Sequence, residues 1–158
     1  TRNNGGVYPP RFDYDPVTLA PRGLLIEEQR TNLLLRSEEF ENASWTKSNT
    51  TVTANAGMSP DGTANADTLT ASSANATLRQ AVSTSAVAMT FSIYMKRKTG
   101  SGDIQISSNG TDWVTQTIDS SAWTRCIITQ TALAGSTSPG VRLVTSGDQV
   151  EVWGAQYE

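Results

Sequence analysis

Few residues in this chain could carry out chemistry, and what is missing narrows the choice first. There is no histidine, which removes Ser-His-Asp and Cys-His nucleophilic catalysis, histidine metal sites and the usual general base near neutral pH. There is no Cys-x-x-Cys pair, Gly-rich phosphate loop or EF-hand loop. Carboxylates remain. Glycoside hydrolysis takes two of them, roughly 5 to 9.5 Å apart across a sugar, and Glu27, Glu28, Glu38, Glu39 and Glu41 offer acids. Glu27 and Glu28 are adjacent, so on a strand they point to opposite faces and cannot form such a pair. A glycosidase or polysaccharide depolymerase is therefore the least supported function, and the chain reads as a non-enzyme. Asp13 and Asp15 share a face if their stretch is extended, and could hold Ca²⁺ with help from backbone carbonyls. A turn started by Asp15-Pro16 is the plainer reading, and no metal site is assigned.

The aromatics say more. Sugars offer C–H-rich faces that stack on rings, while their hydroxyls need fixed polar partners. Tyr94 has the opposite parity to Phe91, Ile93 and Met95, and Trp153 has the parity of Glu151 rather than that of Val150 and Val152. If the apolar faces form the core, Tyr94 and Trp153 stand outside it. Trp113 follows Asn109-Gly110-Thr111-Asp112 and is expected at a loop rim. These three residues are the candidate glycan contacts; for each, ordinary core or subunit packing is the alternative.

Strands must position them. From residue 50 onwards, period-2 segments alternate with turn clusters. Strands are expected over residues 51–54, 66–71, 76–83, 90–96, 103–108, 112–118, 123–131, 141–145 and 149–157. Asn109-Gly110 is a tight-hairpin signal, and a turn or so of helix is expected after Ser37, where acids fall in a first turn. Many short strands with frequent turns, and no repeat of fixed period, specify an all-β sandwich or barrel. Ser and Thr make up about a quarter of the chain, which suits polar, pleated faces and turns.

With 158 residues the chain fits one domain, and a domain of this size buries roughly 70% of its unfolded surface without metal or disulfide. The formal net charge of −3 gives no footprint for nucleic acid. Lys96-Arg97-Lys98 reads as a solvated strand end before the turn at Gly100. Cys126 alternates with Ile128 and is expected to be a buried, inert thiol. No apolar run approaches the roughly 18 residues of a membrane helix, so no membrane partner is expected. The chain starts at Thr1, which suggests a fragment or a processed product.

Residues 1–22 differ from the rest. Asn3-Asn4-Gly5-Gly6 is a turn signal, and five of the six prolines precede residue 61, so this end reads as an extended arm. Tyr8, Phe12 and Tyr14 are its apolar anchors, expected to pack on the chain's own domain or on a neighbouring subunit. The arm is assigned residues 1–22 and the sandwich residues 23–158. Between them, Leu24-Leu25-Ile26 and Leu33-Leu34-Leu35 are separated by a polar break. They read as two short buried strands, over residues 24–27 and 32–35, at the junction of arm and sandwich.

Specific residues carry a family resemblance. Residues 10–16, Arg22-Gly23-Leu24-Leu25-Ile26-Glu27-Glu28, Arg30-Thr31-Asn32-Leu33-Leu34, Ser37-Glu38-Glu39-Phe40 and Ala43-Ser44-Trp45 resemble a segment of tailed-phage and prophage virion proteins. The likeness continues through Pro60-Asp61-Gly62-Thr63-Ala64, Phe91 to Lys96, Trp123-Thr124-Arg125 and Trp153 to Glu158. It implies a structural and adhesive virion part: a tail, fibre or head appendage. Its implied partners are other virion proteins and a bacterial surface glycan, and the implied assembly is a homo-oligomer, by family analogy a trimer. The second half is also similar to carbohydrate-binding modules with a jelly-roll fold, which implies that fold and raises the alternative of a sugar-binding module of an extracellular enzyme. In those modules an Asp on the last strand often helps to hold a structural calcium. Gly154 stands there in this chain, so calcium is not supported and no cofactor is expected.

Overall fold

A computed structural model describes residues 31–158, and residues 12–14 and 21–24 as backbone. The chain divides into two compact units, Thr1–Arg30 and Thr31–Glu158; the sequence had placed a boundary after residue 22. In the first unit, β1 (Phe12–Tyr14) pairs antiparallel with β2 (Pro21–Leu24), so the stretch read as an arm, residues 1–22, holds β1 and the first half of β2. Proline tolerates this place because Pro21 opens its strand. The expected anchor Tyr8 lies outside the described residues, as do the side chains of Phe12 and Tyr14, the carboxyl groups of Asp13, Asp15, Glu27 and Glu28, and the strand expected at 24–27 beyond Leu24.

The second unit is an antiparallel sandwich with the jelly-roll layering expected from the sequence. Its strands are β3 (Thr46–Ser48), β4 (Thr50–Gly57), β5 (Ala66–Ala71), β6 (Ala76–Arg79), β7 (Ala88–Thr99), β8 (Ile104–Ser107), β9 (Val114–Gln116), β10 (Thr124–Thr131), β11 (Gly140–Leu143) and β12 (Gln149–Tyr157). One five-stranded sheet, here sheet I, has the order β10-β7-β12-β5-β4; the other, sheet II, has the order β3-β6-β11-β8-β9. Alternate residues of each strand face the space between the sheets. Leu69, Phe91, Ile93, Met95, Val150, Val152 and Tyr157 from sheet I meet Leu78, Ile104, Ile106, Val141 and Leu143 from sheet II, and all are fully buried. Cys126 is buried among them, and desolvation pushes its thiol up to about 11, so it stays protonated.

Three local expectations are corrected. The turn of helix after Ser37 is instead a chain of tight turns, in which the N–H of Glu39, Asn42 and Trp45 donates to the carbonyl of Arg36, Glu39 and Asn42 in turn. Arg36, just before this stretch, lies in the left-handed region at φ 56° and so is itself no part of a right-handed helix. Burial of both Phe40 and Trp45, with ring centroids 5.0 Å apart, outweighs the weak helical signal. Residues 32–35 form no strand, although Leu34 is buried. Asn109-Gly110 makes no two-residue hairpin, because Asn109 keeps negative φ and its Oδ1 accepts from the N–H of Thr111 and Asp112, both at 2.9 Å. The link from β8 to β9 is therefore a longer side-chain-capped loop.

Asp67 is the buried polar joint of the unit. Its Oδ2 accepts from Phe40 N and its Oδ1 from Asn55 N, both at 2.9 Å, so one carboxyl ties the Phe40 turn and the irregular end of β4 to the core face of β5. Desolvation raises its pKa, against the lowering effect of those two N–H donors. The native state thus keeps this proton to higher pH than the unfolded chain does. The Asp67 contribution is fully present below the unfolded carboxylate value of about 3.9 and declines as pH rises through the raised native value. Asp67→Asn should remove that slope from urea midpoints measured upward from about pH 4, and should cost about 1–3 kcal/mol by leaving one N–H without an acceptor. Phe40→Ala, at a position with no exposure, should lower stability by about 3–5 kcal/mol in the same measurement.

Candidate functional site

Sheet pairing brings together side chains that are distant in sequence. On the outer face of sheet I, Arg125 of β10 pairs with Tyr94 of β7, and Tyr94 pairs with Trp153 of β12. The three form one row across adjacent strands. The Tyr94 and Trp153 rings lie 5.8 Å apart, tilted by 57°, within the range of favourable aromatic pairs. The Arg125 guanidinium sits 6.0 Å from the centre of the Tyr94 ring, and its Nη2 donates to Ser92 Oγ at 3.2 Å and to Gln156 Oε1 at 3.1 Å. An open depression of about 360 Å³ lies over this row. Its lining adds Asn32, Ser37, Glu38 and the stretch Gly154-Ala155-Gln156.

A bulge aims Trp153. The register of β12 against β7 shifts between Trp153 and Gln156, and Gly154 adopts φ 60° there. The extra residue lets Ala155 and Tyr157 return to the core after Trp153 has pointed outwards. Strand-edge hydrogen bonds hold the bulge. Asn32 Nδ2 donates to Ala155 O at 3.0 Å, Asn32 Oδ1 accepts from Tyr157 N at 3.0 Å and from Leu34 N at 3.1 Å, and Ala155 N donates to Ser37 O at 3.0 Å. The indole Nε1 of Trp153 is buried without an acceptor among the described residues.

The neighbouring row on the same face is closed by ion pairs. Glu151 lies across from Lys96 in the register of β12 and β7, with Lys96 Nζ 2.8 Å from Glu151 Oε2 and Lys98 Nζ 3.9 Å from Oε1. Arg97, of opposite parity, meets Asp148 Oδ2 at 3.4 Å. Lys96 and Arg97 are therefore half-buried and paired, not solvated as expected, because Glu151 of β12 and Asp148 just before it meet them on opposite faces, while Lys98 stays exposed at the strand end. Trp123 covers Lys96, whose Nζ is 5.2 Å from its ring centre, and donates Nε1 to Met58 O at 3.1 Å. Gly57 leaves room for Glu151, since a Cβ there would stand 2.6 Å from Glu151 Oε1.

Of the three residues singled out in the sequence, the structure brings Tyr94 and Trp153 together and leaves Trp113 elsewhere. Trp113 precedes β9 in sheet II, with Arg142 of β11 4.8 Å from its ring centre. Gln105 Oε1 accepts from Arg142 Nε at 2.7 Å and also from Nη2. Arg125, Gln156 and Asn32 were missed. A signal for Arg125 was present: Trp123-Thr124-Arg125 opens an alternating run, and its pairing with residues 90–96 would put Arg125 beside Tyr94. Locally Asn32 shows only a short-range bond to Leu34 N, and its clamp partners on β12 are more than a hundred residues away.

Chemically, the depression offers two ring faces, one guanidinium, one carboxylate (Glu38) and two amides. Paired acids are absent from its lining, whereas glycoside hydrolysis needs two. At the position where calcium would be sought, Gly154 offers no side-chain oxygen, and its Cα faces the Tyr94 ring, 3.7 Å from where a Cβ would stand. Among the described residues, no three His, Cys, Asp or Glu side chains gather to hold a metal. These residues do not fit calcium.

No protein-family model and no curated protein matches the chain. Solved structures do match its fold. TmCBM61, solved in complex with β-1,4-galactotriose, is 15% identical with a TM-score of 0.57, the match covering 82% of this chain and 99% of that one. The CBM22-1–GH10 modules of the Clostridium thermocellum endo-1,4-β-D-xylanase 10B, complexed with xylohexaose, give 15% identity and a TM-score of 0.60 over 82% of this chain and 29% of that one. The enzymatically active domain of tailspike protein 4 from Bacteriophage CBA120 gives 12% identity and a TM-score of 0.55 over 80% of this chain and 21% of that one. The fold is thus that of jelly-roll carbohydrate-binding modules. Asn32→Ala, which removes the clamp on the bulge, should cost about 1–3 kcal/mol in thermal or urea unfolding.

Proposed function

We propose that this chain is a non-catalytic, glycan-binding part of a phage virion, a tail, fibre or head appendage that attaches to host-surface sugar. The observation that carries the binding half is the Arg125–Tyr94–Trp153 row under an open depression with Gln156, Asn32 and Glu38 at its sides. Two rings at an angle supply stacking surface, and the polar side chains supply the hydroxyl partners that orient a sugar. Neighbours of the same fold were solved with galactotriose and xylohexaose bound, which supports a saccharide as the ligand class. The virion half rests on the resemblance of residues 10–45 to phage virion proteins, and the tailspike neighbour supports it at the level of fold. In that setting the chain works as a homo-oligomer with other virion proteins as partners, and several weak sites gain avidity of roughly 10² to 10⁴ over one.

A second reading, a sugar-binding module carried by an extracellular enzyme, is favoured by the match over nearly all of TmCBM61. Both readings expect binding on a bacterial glycan array. Tyr94→Ala and Trp153→Ala should each weaken it by about tenfold or more, for a loss of roughly 1–3 kcal/mol of stacking, with the circular-dichroism melt retained. Trp113→Ala, just before β9 of the other sheet, should leave that binding unchanged. Oligomeric state separates the readings: a monomer at micromolar concentration in sedimentation would count against the virion assembly.

A further inference from the structure

We propose that the sugar taken by this depression carries a carboxylate, as a uronic acid unit does, and that Arg125 is the residue that selects it. This inference rests on the glycan-binding reading above and adds the charge of the ligand.

The argument starts from how the cations of sheet I are satisfied. Lys96 and Lys98 share Glu151, and Arg97 is paired with Asp148. Arg125 differs. Its partners among the described residues are neutral: Ser92 Oγ, Gln156 Oε1 and the Tyr94 ring. Both hydrogen bonds use Nη2, so Nη1 and Nε have no partner among the described residues. A guanidinium held by two neutral acceptors and a ring has already given up side-chain freedom, so an incoming anion does not bear that cost. It keeps its full charge, and its remaining planar donors match a carboxylate better than a lone hydroxyl. Its position within the lining, beside both rings, places that charge next to a stacked sugar ring, where the carboxyl substituent of a uronic acid projects from the ring edge.

One group opposes this arrangement. Glu38 lines the same depression and is exposed on the turn that follows Ser37. At an exposed site its repulsion of an anion is screened by solvent and salt, whereas Arg125 acts at contact distance. The net preference is therefore anionic, and Glu38 limits its strength.

The test is an array of acidic bacterial polysaccharides, each in native and carboxyl-reduced form, alongside neutral polysaccharides, probed with the full chain. Native acidic polymers should bind and their reduced forms should lose about tenfold or more, with affinity falling as salt rises. Arg125→Gln should erase the difference between native and reduced forms while keeping the wild-type melt, and Glu38→Gln should strengthen binding of the acidic forms. Equal binding of native and reduced polymers, or a preference for neutral polymers unchanged in Arg125→Gln, would overturn the inference and leave glycan binding standing. A blank array in every arm would remove both.

Discussion

The register shift in β12 is the constraint on which the rest of the sandwich depends. β12 lies in the middle of sheet I, between β7 and β5, and contributes Val150, Val152, Ala155 and Tyr157 to the core. Strict alternation would turn Ala155 and Tyr157 outwards once Trp153 points away. Inserting Gly154 at φ 60° restores the inward parity, so that one strand both fills the core and presents Trp153 beside Tyr94. The insertion leaves backbone groups of β12 off its ladder. Asn32 and Ser37 take them up through the carbonyl and N–H of Ala155 and the N–H of Tyr157. The segment that satisfies these groups also supplies part of the lining of the depression. Backbone hydrogen bonding and site shape are therefore one problem with one solution.

The polar groups of sheet I divide the work in a comparable way. Glu151 and Asp148 are nearly buried and each meets cations from β7. Partly buried pairs of this kind gain little net stability, because desolvation offsets much of the attraction. What they do specify is the register: a slip of β12 by one residue would put Glu151 on the core face, away from Lys96. The register that pairs the charges is the register that pairs Tyr94 with Trp153. Arg125 lies outside this network, which is why it alone among these cations faces the depression with neutral partners.

The legible part of the fold follows from two-residue periodicity. The strands at 66–71 and 149–157 coincide with the observed β5 and β12, and the outward parity of Tyr94 and Trp153 could be read because their neighbours Ile93, Met95, Val150 and Val152 are unambiguously apolar. Where apolar parity was weak, reading failed. β3 has a polar sequence and takes its place through pairing with β6. The turns after Ser37 look helical in composition, but the cost of leaving Phe40 and Trp45 exposed overrides that preference. Asn109-Gly110 carries a hairpin signature, yet Gln130, from a distant strand, accepts from Ser108 N at 2.8 Å and donates to Asp112 O at 2.7 Å, and so holds a wider loop.

By itself the sequence determined the class of fold, the inward and outward faces of its clearest strands, and the absence of histidine-based chemistry. Each of these depends on residue type or on spacing within one segment, where sterics and solvation act locally. Which outward residues become neighbours was decided only by the tertiary structure. Tyr94, Arg125 and Trp153 meet because three strands align in one register, and Trp113 is separated from them because it leads into β9, a strand of the other sheet. Strand order and register are set by the packing of the whole core and by hydrogen bonds between residues far apart in the chain. A row of side chains across a sheet therefore has no signature in any single stretch of sequence.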